Sequence, residues 1–327
     1  MAGQSARLTE EYRQQQLALK AAFLAQFIPT VNLLSWSAID ATYAAWVQVV
    51  MPLVRSFRQA SADLAVDYYQ RLRLIEAPEA SSPAPTVEFR NAPGAELPGP
   101  ARLASGRNQR PTITVGSARR DSVGQAGTAR DTPSNITAPH FGEFKPVVLD
   151  WSSADDATIR SLLVTGPSAL KRASHHGLDE TRARRVAVVQ ASGAASRHVL
   201  NGARDTTLEL VKADDVAVGY IRVTASNPCA FCAMLASRGP VYHESSFAES
   251  DPRFVGPGTI KVHDNCACMP KAVFSRTAEW PGRAAEFRRM WRDSIEGKYS
   301  GRDALNAWRR LFEAAEREAG REEQITA

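Results

Sequence analysis

All four cysteines of this 327-residue chain sit in two short clusters. The first, NPCAFCAMLASRGPVYHESSF, carries Cys229 and Cys232; the second, VHDNCACMP, carries His263, Cys266 and Cys268. A tight turn over Cys229-x2-Cys232 brings two sulfurs to one side. In an extended Cys266-x-Cys268, residues two apart share a face. His263 can reach the same spot from the preceding turn, so the two clusters can converge. This N/S donor set fits tetrahedral Zn2+. Five donors compete for four places: four sulfurs with His263 behind them, or three sulfurs and His263. The alternatives are buried reduced thiols at a strand-to-helix corner, or a redox pair. A thioredoxin-like pair opens a long helix, whereas residues 230–236 are soon ended by Gly239-Pro240.

Apolar residues make up 44% of the chain and charged ones 23%, which is ordinary for a globular protein. The net charge of +5 permits contact with nucleic acid or an acidic partner without demanding it. No segment reaches the roughly 18 apolar residues of a membrane helix; the best, 41–54, is interrupted by Gln48 and Pro52. The start of the chain lacks a basic-then-apolar signal pattern. The expectation is a protein made and kept in a cytoplasm, with free thiols and no membrane contact.

The expected fold is mainly α. It comprises an N-terminal helical hairpin (1–76), a Pro/Gly/Arg-rich linker or extended arm (77–147), and a helical domain (148–327). The last contains a small α+β zinc-knuckle-like region at 215–275 and C-terminal helices. In the hairpin, Ile39, Tyr43, Trp46, Val50, Leu53, Phe57, Leu64 and Tyr68 form an apolar stripe at helical spacing. Ser37 with Asp40 reads as its start, Pro52 as a kink or break, and 9–27 as the antiparallel neighbour. The arm holds ten of the 19 prolines, which argues against regular structure there. Only short β-like pieces such as 112–115 occur in it. Its Arg102, Arg107, Arg110, Arg119, Arg120 and Arg130 stand nearly without acids, so they are candidates for non-specific contact with DNA phosphates.

Beyond the arm, Ser153 and Asp156 resemble a capping pair. Helices are expected at 154–163, 168–175, 179–200 (ended by Asn201-Gly202) and 205–212. Strands are expected at 220–224 and 269–274. Helices at 285–295 and 303–318 follow, with Phe287, Met290, Trp291, Leu305, Trp308 and Leu311 as apolar faces.

Enzymatic signatures are weak. Pro228-Cys229-x2-Cys232 is half of a zinc-deaminase signature, but none of His140, His175, His176 or His198 supplies the upstream His-x-Glu. No Gly-x-Ser-x-Gly elbow, phosphate-binding loop or dinucleotide fingerprint occurs.

The block running from Arg222-Val-Thr through Pro-Cys-Ala-Phe-Cys-Ala-Met-Leu-Ala-Ser-Arg-Gly-Pro-Val-Tyr242, followed by His263-Asp-Asn-Cys-Ala-Cys268, resembles the MuF-type minor head proteins of tailed bacteriophages. It is most similar to the version found in phages of actinobacteria. The run Tyr299 to Arg310 resembles their C-terminal helix. Typical MuF domains end in His-Pro-x-Cys-Arg-Cys; here Asp264 and Ala267 replace the proline and arginine, which leaves the ligands but removes a cation. The resemblance implies a low-copy structural protein of the virion, interior to the capsid and in the host cytoplasm during assembly. Its implied partners are the phage portal protein, scaffold, major capsid protein and DNA. A metal there would stabilise, not catalyse. The rival is a capsid maturation protease acting during procapsid assembly.

Overall fold

The computed structural model describes residues 2–90, 146–242 and 262–326. Among these the chain is mainly α. Helix α1 (Ala2–Thr30) turns through a short 3-10 segment (Val31–Leu33) into α2 (Ile39–Glu76). Two four-residue strands, β1 (Val87–Arg90) and β2 (Val147–Asp150), pair in parallel. Then come α3 (Ser152–Thr165), α4 (Pro167–His175) and α5 (Glu180–Ala213). Strand β3 (Gly219–Val223), helix α6 (Ala230–Ala236), β4 (Val241–Tyr242) and β5 (Met269–Val273) build the small sheet, ordered β4-β3-β5 and antiparallel. Helices α7 (Ala284–Ser294) and α8 (Gly301–Thr326) follow.

Helix α5 is the axis of the molecule. It contacts α1, α2, α3, α4, β2, β3 and β5, and every residue from Ala191 to Ser196 is buried. Its sequence ASGAAS explains how so many neighbours fit: small side chains let backbones approach closely. Asn201-Gly202 does not end this helix, and 205–212 is its last stretch and not a separate element. Gly202 is required by packing, since a Cβ there would lie 2.2 Å from the Arg58 carbonyl oxygen. A glycine inside a helix loses about 1 kcal/mol of propensity relative to alanine; the close α2 contact outweighs that loss.

The apolar stripe of α2 packs largely as its spacing implies. Trp46, Val50 and Phe57 are buried with Phe23 and Phe27 of α1 and with Ala187, Ala191 and Val199 of α5. Tyr43 departs from the stripe and is 37% exposed. Near the other end of the hairpin, Tyr12 stacks on Tyr68 at 4.1 Å. Gln16 Nε2 donates to the Ser61 carbonyl, and Ser61 Oγ donates back to Gln16 Oε1. Helix α1 runs well beyond the expected 9–27. Helix α2 passes unbroken through Pro52. Both Pro52 and Gln48, whose carbonyl loses its donor, are exposed, so water can satisfy that carbonyl.

Two helices start at other residues than expected. Ala38, not Ser37, is the residue before α2, and it makes no side-chain cap; Ser37 instead bonds to Ser35. Helix α3 begins at Ser152, ahead of the expected Ser153–Asp156 pair, and the Asp150 carboxylate accepts from the Ser152 amide.

A buried ionic network joins α2 to α3. Arg58 donates to Asp155 Oδ1 at 2.8 Å, to Thr158 Oγ1 and to the His198 carbonyl of α5. A separate small core holds the C-terminal elements together: Met234 of α6, Phe287 of α7, and Trp308 and Phe312 of α8. Leu305 faces outward, 45% exposed. The arm arginines 102, 107, 110, 119, 120 and 130, the segment 112–115, His140 and His243 lie outside the described residues.

Candidate metal centre

The sheet explains why the two cysteine clusters meet. Val223 at the end of β3 pairs with Met269 at the start of β5. The chain therefore leaves β3 toward Cys229 at the same end of the ladder where it enters β5 from Cys268. Cys229 occupies the cap position of α6, and its sulfur accepts from the Cys232 amide at 3.4 Å. Helix α6 is fixed from behind, where Trp308 Nε1 donates to the Ala230 carbonyl at 2.7 Å.

The second arm turns at Asn265, which takes a left-handed φ of 65°, a conformation that asparagine tolerates. This arm is docked on α5. The Asn265 amide donates to the Gly193 carbonyl at 3.3 Å. Arg197 pairs with Asp264 at 2.8 Å. A Cβ at position 193 would lie 2.7 Å from the Asn265 side-chain Nδ2, so the glycine leaves room for that side chain.

The donors converge in two groups that share Cys232: Cys229, Cys232 and His263, and Cys232, Cys266 and Cys268. Within each group the ligand atoms lie within 4.8 Å of one another. Cys232 and Cys266 sulfurs are 3.4 Å apart. His263 Nε2 is 2.8 Å from the Cys229 sulfur and 3.8 Å from that of Cys232. A tetrahedral zinc with bonds near 2.3 Å to sulfur needs edges of roughly 3.8 Å, so small shifts would close the site around an ion. Cys229 is exposed, and the other three cysteines are buried.

His263 Nδ1 lies 2.7 Å from the Asp264 carbonyl oxygen. A carbonyl only accepts, so Nδ1 carries the proton. A neutral ring, the form a metal requires, would then present its Nε2 lone pair to the ion, the arrangement typical of a metal-ligating histidine.

The protons of the cluster are in conflict. The hydrogen bond from Cys232, joined by that residue's amide and by His263, lowers Cys229 to about 5 against its burial. Cys266 is also lowered, by Cys232 first, then Cys268, with help from Arg204. Cys232 is raised by its bonds to Cys229, Cys266 and Cys268. Cys268 receives a lowering bond from Cys232, yet Cys266 and burial push it up to about 11. Sulfurs this close cannot all ionise alone. A divalent cation at their centre removes the conflict. These residues can hold a metal ion, and the chemistry of the donor set fits zinc.

Two nearby arginines have no marker in the sequence. Arg204 of α5 and Arg222 of β3 reach the cluster, Arg222 Nη1 lying 4.0 Å from the Cys232 sulfur. Among the described residues no Asp or Glu joins either donor group. A cleft of about 700 Å3 lies between the start of α1, the end of α2, the sheet and residues 275–283, and none of the five donors lines it. His198 is buried with its Nε2 unpartnered among the described residues.

Comparison with protein families gives one match: the VG15 protein model aligns with residues 4–127 and 154–294, well over half the chain. The chain belongs to the VG15 protein family. This VG15 match makes it a phage-associated, virion-related protein. The matched regions include α1 and α2, the axis α5, and both arms of the cysteine cluster. No curated protein and no solved structure matches the chain. No described helix of this VG15 protein is long and apolar enough to cross a membrane.

Proposed function

We propose that this VG15 protein is a MuF-like minor head protein: a structural component inside the capsid that engages the portal during assembly. Its cysteine cluster holds one structural Zn2+. Four of the five donors Cys229, Cys232, His263, Cys266 and Cys268 bind the ion, with Cys232, shared by both groups, at the centre. The arm arginines contact packaged DNA, and scaffold and major capsid protein are its neighbours in the procapsid.

The observation that carries this reading is the position of the cluster. It lies at the junction of α5, β3, β5 and α6, its donors face one another, and none of them lines the cleft. A catalytic zinc keeps an open position beside a general base, and among the described residues, which do not include Glu244, no carboxylate joins these donors. A closed site at such a junction stabilises a domain whose own sheet is only three short strands. Membership of a phage family supports the virion setting.

The test is co-expression with the portal and the major capsid protein of the same phage. The expected result is co-purification with portal and an intact capsid protein. Cleavage of the capsid protein that stops on one serine or histidine substitution would overturn the structural reading in favour of a maturation protease.

A further inference from the structure

We infer that Arg204 is the positioning residue of the metal centre, coupling metal loading to the docking of the cysteine arm on α5. This rests on the metal reading above. Arg204 is 1% exposed. Its Nε donates to the Cys268 carbonyl at 3.0 Å and its Nη2 to the Cys266 carbonyl at 2.7 Å. Its Nη1 is held by Asn201 Oδ1 at 2.9 Å, with a longer contact to the Arg197 carbonyl. One planar fork therefore grips the backbone on both sides of Ala267 and fixes the spacing of two sulfurs from a rigid helix. The five donors of guanidinium suit that task, where a single ammonium does not.

Charge gives a second, independent reason. Among the described residues every hydrogen-bond partner of Arg204 is an uncharged oxygen. A buried cation is costly unless a negative charge lies close by. Three thiolates and a neutral imidazole around a divalent ion leave one net negative charge, and four thiolates leave two. Arg204 balances the first, and Arg204 with Arg222 balances the second. The neighbouring Asp205 carboxylate also favours the charged guanidinium, after Cys266 and Cys268; the loaded centre thus adds to the counter-charge of a buried Arg204.

The test uses the full chain loaded with zinc. Zinc retention is measured by competition with a chromogenic chelator, and unfolding is followed with and without the metal. Arg204→Met should weaken retention by about 10–100-fold and shrink the stability gap between loaded and stripped protein. Arg204→Lys, which keeps the charge but loses the fork, should fall between the two and serves if the methionine variant does not fold. Unchanged retention in either folded variant, or equal destabilisation of loaded and stripped forms, would overturn the role of Arg204. Wild-type protein that takes up no zinc would instead overturn the metal reading itself.

Discussion

The carbonyl oxygen of Arg58 lies 2.2 Å from where a Cβ on Gly202 would sit. Helices α2 and α5 therefore touch backbone to backbone at this point, and the Arg58 side chain reaches on to Asp155 and Thr158 of α3. Gly202→Ala must push the two helices apart. A loss of about 2–4 kcal/mol is expected, read as a lower urea midpoint with unchanged slope.

The ionic link from α2 to α3 makes a separate prediction. The Arg58–Asp155 pair is buried on both sides, and Arg55 adds a second, more exposed contact at 2.7 Å. Asp155→Ala leaves a buried guanidinium without its carboxylate. The expected cost is about 3–5 kcal/mol. Equilibrium unfolding of Arg58→Met, Asp155→Ala and the double variant would measure the coupling. Strictly additive losses would contradict it.

These contacts also show what was legible in the chain beforehand. The stripe from Ile39 to Tyr68 is a local pattern, and it marked the α2 face correctly apart from Tyr43. The strands around 220 and 270 and the two cysteine clusters were likewise visible, because alternation and ligand spacing are local. Helix ends were not. Asn201-Gly202 carries the local signature of a stop, yet the demand it meets comes from Arg58, far away in sequence. Pro52 was read as a break because its exposure, which makes it harmless, is a tertiary fact. Arg204 and Arg222 were missed for the same reason: a buried arginine in a helix or strand looks like any surface one until the carbonyls or sulfur it reaches are placed.

His198 gives a pH dependence with a definite sign. Burial, then the neighbouring Arg197 and Arg58, push its imidazole down to about 3. The folded state thus prefers the neutral ring. Its contribution is full above the ordinary value of 6.5 and is lost as pH falls toward 3. Between pH 7 and 5 this one group should remove about 2 kcal/mol of stability. His198→Phe should flatten that part of the profile. A variant whose stability falls with pH as steeply as the wild type would rule the assignment out.

Metal removal should act regionally. The cysteine arm ties α6 and the sheet to α5, whereas α1, α2 and α5 share a core that does not include the cluster. Chelation, or Cys266→Ser, should speed hydrogen exchange in β3, α6 and β5 while exchange in the Phe23–Phe57–Val199 core stays slow. Uniform acceleration would mean the cluster supports the whole molecule, and no change would mean it supports nothing.

The most direct measurement is native mass spectrometry of the chain co-expressed with its portal protein, metal mass read in the same spectrum. The account predicts a complex with portal in which each copy of this chain carries one zinc ion. A metal-free chain that does not associate with the portal would contradict it on both counts.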